Sequence, residues 1–432
     1  MIFAARQIQE KCREKQQPFY ELFVDLTKAF DTVSRESLWL LLRKYSCPPG
    51  FIKLVRRLHD GMEARIISGT DTSEPFSVSH GVKQGCVIAP TLFGLFLGAM
   101  VAEATRDLSC VATIRHRTSG GLFTTQHLKA KTKVTLQMIL DLLYADDTAL
   151  VAHSEADLQQ SLDRLHTACH RFGLKISVKK TVVLFQPALG GPNALPKITI
   201  DDQLLQVVDK FAYLGSCISS DGTMDAEIDC RIAKASAAFG ALQRRVWSAA
   251  GIRRSTKVKV YQAMVLLTLL YGCEAWTCYA KHLKRLEAFH QRKLRSLLGI
   301  SWKDHITNAE VLARAGLPSV EARIRSSQLR WVGHVVRMPE HRLPKQILYS
   351  ELEACKRPVA ARVSGSWTRR KRLIGRRGVS HYIKAPDAST NLEQCGGKSR
   401  EQGLKRWLNY HLVGQPSCVL TVAASAGPGL TC

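Results

Sequence analysis

Met138-Ile-Leu-Asp-Leu-Leu-Tyr-Ala-Asp-Asp-Thr-Ala-Leu-Val-Ala152 sets two apolar runs on either side of an aspartate pair. The runs have the length of strands and the pair has turn chemistry, so the stretch reads as a β-hairpin with Asp146 and Asp147 at its tip. Far upstream, Glu21-Leu-Phe-Val-Asp-Leu26 is a second short apolar run with Asp25 set into it. A charge held against a core is costly unless it gains a partner. Taken alone, an Asp-Asp pair at a turn is more often a solvated turn or a cap. Two strands of one sheet would bring all three carboxylates together, giving oxygen ligands for two Mg²⁺ ions of the kind that stabilise in-line phosphoryl transfer.

Strands and helices alternate over the first 190 residues, which predicts an α+β or α/β core. Ser34 is placed to cap a helix from about Arg35, with Leu38, Leu41, Leu42 and Tyr45 on one face, and Cys47-Pro-Pro-Gly50 stops it. A following helix carries Phe51, Leu54, Val55 and Leu58 at the same spacing. Ala64 to Ser68 and Pro75 to Val78 read as a hairpin ahead of the Gly81-Val-Lys-Gln-Gly85 loop, and an apolar helix comes next. A helix over Asp157 to Phe172 and a strand over Lys179 to Phe185 close the unit, and Pro187 to Pro196 reads as a linker. From about Val207 a short β element leads into Lys/Arg-rich helices, expected over 226–249, 255–271, 281–298 and 322–336. Past Glu353 the periodicity fails: residues 356–384 hold ten Lys/Arg and no Asp or Glu, a composition that predicts disorder.

The 432 residues carry 62 Lys+Arg against 36 Asp+Glu, a net charge of +26, while 45% of them are hydrophobic. That balance excludes a disordered basic tail as a description of the whole chain and favours a polyanionic partner over a neutral small molecule. The 13 cysteines are scattered without a CxxC pair, and no signal peptide opens the sequence, so a reduced, intracellular, nuclear or cytoplasmic protein is expected. Cys273-x4-Cys278-x3-His282 and His166-x2-Cys169-His170 are the nearest approaches to zinc spacing. The second lies on an apolar helix stripe with Leu158, Leu162, Leu165 and Phe172, which favours core packing. Gln84 to Ala102 is uncharged but broken by Gly85, Pro90, Gly94 and Gly98, so no membrane span is expected. Arg369-Arg-Lys-Arg372 fits a nuclear localisation signal, though short basic runs also arise by chance.

In order and spacing the motifs resemble those of the reverse transcriptases, specifically the enzymes of non-LTR (LINE-type) retrotransposons. Phe23-Val-Asp-Leu-Thr-Lys-Ala-Phe-Asp31 is similar to the family's first catalytic motif, His80-Gly-Val-Lys-Gln-Gly-Cys86 to its template loop, and Tyr144-Ala-Asp-Asp147 to its metal motif. Gly173-Leu-Lys-Ile-Ser-Val-Lys-Lys-Thr181 and Phe211-Ala-Tyr-Leu-Gly215 follow in the family's order, and the likeness runs from about residue 3 to about residue 350.

The resemblance implies an RNA-directed DNA polymerase working by two-metal nucleotidyl transfer on an RNA template, a DNA primer and deoxynucleoside triphosphates, with no membrane partner. Asp25 and Asp146 would hold Mg²⁺, with Mn²⁺ as an alternative ion, Asp147 beside them and the Leu26 carbonyl completing one shell. Phe30 would exclude a 2′-hydroxyl, although a core phenylalanine fits the same position. Gln84, Gly85 and Tyr144 would lie at the template base and incoming nucleotide, and Lys180 would protonate the leaving pyrophosphate. Phe211, Tyr213 and Gly215 would form the primer grip, and Arg231, Lys234, Arg244 and Arg245 would track a duplex backbone.

The implied architecture is a right-hand polymerase: palm with remnant fingers over 1–190, primer grip and helical thumb over 191–300, a helical extension over 301–353, and a basic tail over 354–432. The family's upstream fingers segment and endonuclease do not fit in the residues before Asp25, and Ser177 stands where the family has Asn. A truncated copy with reduced or no activity is therefore expected. A non-catalytic nucleic-acid-binding protein is the alternative. An RNA-templated RNA polymerase is disfavoured by Phe30 and by Tyr144-Ala145. The oligomeric state is left open.

Overall fold

The computed structural model describes residues 1–68, 71–83, 85–106, 108, 112–118, 128, 133–188 and 194–353. All belong to the first of the chain's two compact units, Met1–Ser366. Gln84, the Arg369–Arg372 run and the basic tail lie outside the described residues.

Helix α1 (Ile2–Lys15) leads into β1 (Phe19–Val24), whose side chains divide between two apolar layers. Leu22 and Val24 face a core shared with α2 (Arg35–Lys44), while Phe19 and Phe23 face α1 on the other side. This alternation follows from the period of two along a strand, and a strand apolar on both faces is one buried on both. Ser34 caps α2 by accepting from the Ser37 amide at 3.3 Å, as its sequence position predicts. In α3 (Pro49–Arg57) the buried positions are Ile52 and Val55. The expected stripe of Phe51, Leu54 and Leu58 is instead exposed, because the helix packs through a neighbouring row of its surface.

The expected hairpin forms two short ladders, β2 (Glu63–Ala64) with β5 (Phe76–Ser77) and β3 (Ile67–Ser68) with β4 (Asp71–Thr72). Next come α4 (Ala89–Ala104), β6 (Ala112–His116) and β7 (Thr135–Ile139). The apolar run that starts at Met138 does not stay in one strand. It breaks at Leu140, so that Met138 and Ile139 pair with β6 and only β8 (Asp141–Tyr144) pairs with β9 (Asp147–Ala152). Helix α5 (Glu155–Arg171) is capped by Ser154, which accepts from the Asp157 amide at 3.1 Å. Cys169 on this helix is buried in the core beside Met100, the packing role its stripe predicts. Strand β10 (Val182–Gln186) begins later than expected, leaving Lys179 and Lys180 in the preceding turn.

Beyond β11 (Thr199–Ile200) and β12 (Gln203–Leu204), β13 (Gln206–Val208) completes the principal sheet, ordered β13-β10-β1-β9-β8. Only the β10–β13 pairing is parallel. The sheet therefore extends past the boundary expected at residue 190. A second hairpin, β14 (Lys210–Tyr213) and β15 (Ser216–Ser219), precedes the helical module. That module comprises α6 (Asp225–Ala241), α7 (Arg254–Val260), α8 (Leu267–Leu269), α9 (Ala280–Leu298), α10 (Asn308–Ala315) and α11 (Val320–Arg337). Wider π-helical turns at Gln243–Trp247 and Tyr261–Leu266 interrupt the helices expected over 226–249 and 255–271.

Val311, Ala315, Val320 and Ile324 share one core with Ile228, Phe239 and Leu286, so the segment after residue 300 is not a separate extension. After α12 (Leu343–Leu348), β16 (Ser350–Leu352) returns to pair with β6. The architecture is α+β. No helix among the described residues is long and apolar enough to cross a membrane.

Candidate active site

Asp25 follows directly on the central strand, and its position is set from three sides. The register Val24↔Thr148 places the end of β1 beside the start of β9, next to Asp147. The Asp25 carbonyl accepts from the Ser177 amide at 2.8 Å, and the Thr27 amide donates to the Lys175 carbonyl at 2.8 Å. These bonds form an antiparallel bridge between Leu26 and Ile176, and neither uses the Leu26 carbonyl. The Asp25 amide donates to Thr181 Oγ1 at 3.3 Å. The Gly173–Thr181 motif thus acts as a clip on the strand end, and a turn in which the Lys180 and Thr181 amides both donate to the Ser177 carbonyl brings Lys180 round to face Asp25. Lys180 Nζ stands 3.3 Å from Asp25 Oδ2.

Asp146 and Asp147 sit at the tip of the β8–β9 hairpin, where Tyr144 pairs with Asp147 across a two-residue turn. Ala145 takes a positive φ of 54° there, a form that costs a Cβ-bearing residue energy and is held by the strands on either side. Both aspartates and Tyr144 are exposed and Asp25 is half-buried. This corrects the expectation of buried carboxylates: the aspartates lie at the end of the sheet, and the acid buried within this strand is Glu21. Asp147 ionises above the usual carboxylate range, mainly because its carboxyl is partly withdrawn from water, and further because Asp146 and Asp25 lie close.

The predicted template loop meets the first motif through backbone bonds. The Val82 amide donates to the Phe30 carbonyl at 2.9 Å and the Gly81 amide to the Val33 carbonyl at 2.8 Å. Arg35, buried, holds the loop's other side by donating to the carbonyls of Gly81 at 2.9 Å and His80 at 3.2 Å. Gly81 has no substitute there, since a Cβ would stand 2.7 Å from the Asp31 carbonyl oxygen. Gly85, exposed with φ 85°, has open space around it. The Phe30 ring stacks on Phe93 with centroids 4.4 Å apart, half-buried against the core below Asp25's strand.

Phe211 and Tyr213 do not face solvent together. Phe211 stacks on Phe23 at 4.2 Å, and Tyr213 is buried with its hydroxyl donating to the Leu142 carbonyl at 2.9 Å, so both dock their hairpin against the aspartate-bearing strands. Gly215 is exposed at the hairpin's turn. Among the basic residues expected to follow a duplex, Lys234, Arg244 and Arg245 are exposed, but Arg231 is buried against Glu227 and belongs to the interior.

The donor chemistry suits a hard divalent cation: three carboxylates and a backbone carbonyl, all oxygen. Asp25 Oδ2 is shielded from water and lacks an aligned hydrogen bond, with the Lys180 ammonium beside it as a cationic stand-in. Among the described residues no three His, Cys, Asp or Glu side chains converge into a finished metal shell, neither here nor at the Cys273–His282 and His166–His170 segments. His282 is instead paired with Asp225 at 3.2 Å. Sequence reasoning missed Arg35, Thr181 and Glu21. Glu21 alone left a signal, as a charge at the edge of an apolar run.

These features, a largely antiparallel sheet carrying aspartates at one end and a glycine loop tied to the Phe30 and Val33 carbonyls that follow the first of them, accord with the family to which the chain belongs. That family is the reverse transcriptase (RNA-dependent DNA polymerase) family, whose model matches residues 2–218. A transposon-derived protein of Caenorhabditis elegans is 28% identical over 220 residues, covering 49% of this chain and 76% of that protein. The Pol polyprotein of the R2 retrotransposable element of Popillia japonica is 23% identical over 336 residues, 76% of this chain and 48% of the relative. The RNA-directed DNA polymerase of the mobile element jockey of Drosophila funebris is 23% identical over 327 residues, 72% of this chain and 32% of the relative. The chain thus spans half or less of the length of these two polymerases. Telomerase of Candida tropicalis superposes over 80% of this chain and 51% of its own with a TM-score of 0.34 and 11% identity, too distant to place a residue. The chain carries a reverse transcriptase domain of the non-LTR retrotransposon kind.

Proposed function

We propose that the domain extends a DNA primer on an RNA template by two-metal nucleotidyl transfer. The observation that carries this reading is the meeting of Asp25, at the end of the central strand, with the Tyr144–Asp147 hairpin and the Lys180 ammonium. Asp25, Asp146 and Asp147, with the Leu26 carbonyl, would hold Mg²⁺ or Mn²⁺, which supplies Lewis-acid neutralisation of charge developing on the phosphoryl oxygens. Lys180, exposed and beside Asp25, is placed to give a proton to the leaving pyrophosphate.

The sheet and its helices then act as the palm of a right-hand polymerase, and the module from α6 onward as the thumb. Phe30 lies under the incoming sugar, its ring fixed by Phe93 so that a 2′-hydroxyl finds no space. Gly85 approaches the template base, its missing Cβ allowing close backbone contact. Gly215, exposed at the turn, meets the primer while Phe211 and Tyr213 brace the hairpin from behind, and Lys234, Arg244 and Arg245 face the duplex phosphates.

The test is extension of oligo(dT) on poly(rA) by the purified chain with Mg²⁺, compared with Asp146→Ala. Extension lost in the variant supports the reading. Extension that survives the substitution refutes it. RNA affinity that is unchanged in the variant, in a chain that never extends a primer, favours a binding role without chemistry.

A further inference from the structure

The turn of the β14–β15 hairpin places Leu214 and Gly215 at positive φ, 48° and 76°. Two successive left-handed residues suit a tight hairpin turn, but leucine is a poor occupant of that form. The turn is held from outside. Tyr271 donates its hydroxyl to the Leu214 carbonyl at 3.0 Å. Arg231 Nη2 donates to the Gly215 carbonyl. Arg6 Nη2, from α1, donates to Ser216 Oγ at 2.9 Å and to the Cys217 carbonyl at 2.8 Å, and the Cys217 amide donates to Glu227 Oε2.

Glu227 is the hub of these contacts. Its Oε1 accepts from Arg231 Nε at 2.8 Å and its Oε2 lies 3.6 Å from Arg6 Nη2. It is fully buried, and the two arginines nearly so. The Arg231 guanidinium also lies over the Tyr271 ring, 4.6 Å from its centroid, and the same ring approaches Gly215. Every residue from Leu214 to Cys217 is therefore gripped by α1, by α6 or by Tyr271. The strand leading into the turn is fastened to the aspartate strands, through Tyr213 on Leu142 and Phe211 on Phe23, two residues before Asp25.

We infer that Glu227, Arg231 and Tyr271, together with Arg6, are positioning residues that fix the Leu214–Gly215 turn, and with it the primer's 3′ end, relative to Asp25 and Asp146. The inference rests on the primer-grip reading of this hairpin. Its reach into the reaction is through distance: a displacement of the reacting hydroxyl by about 1 Å is worth on the order of 100-fold in rate.

Tyr271 is 47% exposed, so Tyr271→Phe removes one hydrogen bond without opening the interior. The experiment uses the full chain, poly(rA), and an oligo(dT) primer ending in 4-thiothymidine, which is photo-crosslinked and mapped to peptides. The expected result has several parts. The wild type crosslinks within 210–219, and Tyr271→Phe crosslinks there at least about threefold less. The variant melts at the wild-type temperature and binds the duplex within about twofold. Its kcat falls about fivefold with KM for dTTP unchanged, the worth of one neutral hydrogen bond. Arg231→Lys, which retains a charge for Glu227 and gives up the Gly215 carbonyl, shows the same loss at the hairpin if it folds.

An unchanged crosslink and kcat in a folded Tyr271→Phe chain overturn the inference. Melting temperature and duplex affinity falling in step with activity do so too, since that pattern marks a structural role. A wild-type chain that crosslinks at the hairpin but does not extend the primer refutes the polymerase reading and leaves the positioning device standing. Extension without a crosslink at the hairpin does the opposite.

Discussion

Glu21 lies in the middle of the central strand, fully buried, with both carboxyl oxygens lacking a hydrogen-bond partner. Withdrawal from water pushes its carboxyl from the ordinary 4.5 up to about 8, against the opposing pull of the Arg6 guanidinium. The folded chain therefore keeps a proton that the unfolded chain gives up between those values. Stability from this group is intact below pH 4.5, falls as pH rises through the window, and is gone above pH 8. At about 1.4 kcal/mol for each pH unit the full loss is at most about 5 kcal/mol, on a scale where whole domains hold roughly 5–15 kcal/mol. Glu21→Gln keeps the shape and removes the proton. Urea unfolding of both proteins at pH 5 and pH 8.5 cancels every other titrating group in the difference. The variant should match the wild type at pH 5 and exceed it by several kcal/mol at pH 8.5. An equal margin at the two pH values would refute the reasoning.

Phe30→Val leaves Phe93 without its stacking partner, so it should cost about 1–3 kcal/mol in unfolding experiments while raising ribonucleotide incorporation relative to deoxynucleotide. An active enzyme with an unaltered ratio would remove Phe30 from the sugar site. Gly81→Ala drives a Cβ against the Asp31 backbone at a φ of 81°, and a destabilisation of about 2 kcal/mol or more is expected, read as a lower urea midpoint. The double change Arg244→Ala and Arg245→Ala, both exposed, should reduce the slope of log affinity against log salt for a nucleic-acid duplex by about 2 and leave melting unchanged. A slope that does not move would place the duplex elsewhere.

The α+β class, the Ser34 cap and the β8–β9 hairpin were legible because each is a local pattern: apolar period, cap residue, turn residue. The break at Leu140 was not, because Met138–Ile139 and Leu142–Leu143 are equally apolar and only their partners differ. Arg231 looked like its basic neighbours, and its burial depends on Glu227 one helical turn before it and on Gly215 in a separate hairpin. The face of α3 was misjudged for a related reason, since Phe51, Leu54 and Leu58 keep a helical spacing whether or not anything covers them. In the site, the aspartates and Lys180 carried their own chemistry. Thr181 and Arg35 act through backbone groups, which no side-chain pattern reveals.

The pairing of Ser350–Leu352 with Ala112–His116 ties together stretches more than two hundred residues apart, and Lys11, which donates to the Ser350 carbonyl, extends the tie to the first helix. On a ribosome, β6 remains an open edge from its own synthesis until β16 emerges. A row of unsatisfied amides and carbonyls is a template for pairing with another chain, and contacts so distant in sequence form slowly. A message that stops short of residue 350 would therefore yield a domain with both catalytic strands in place and an unsealed seam, a species suited to aggregation and chaperone capture.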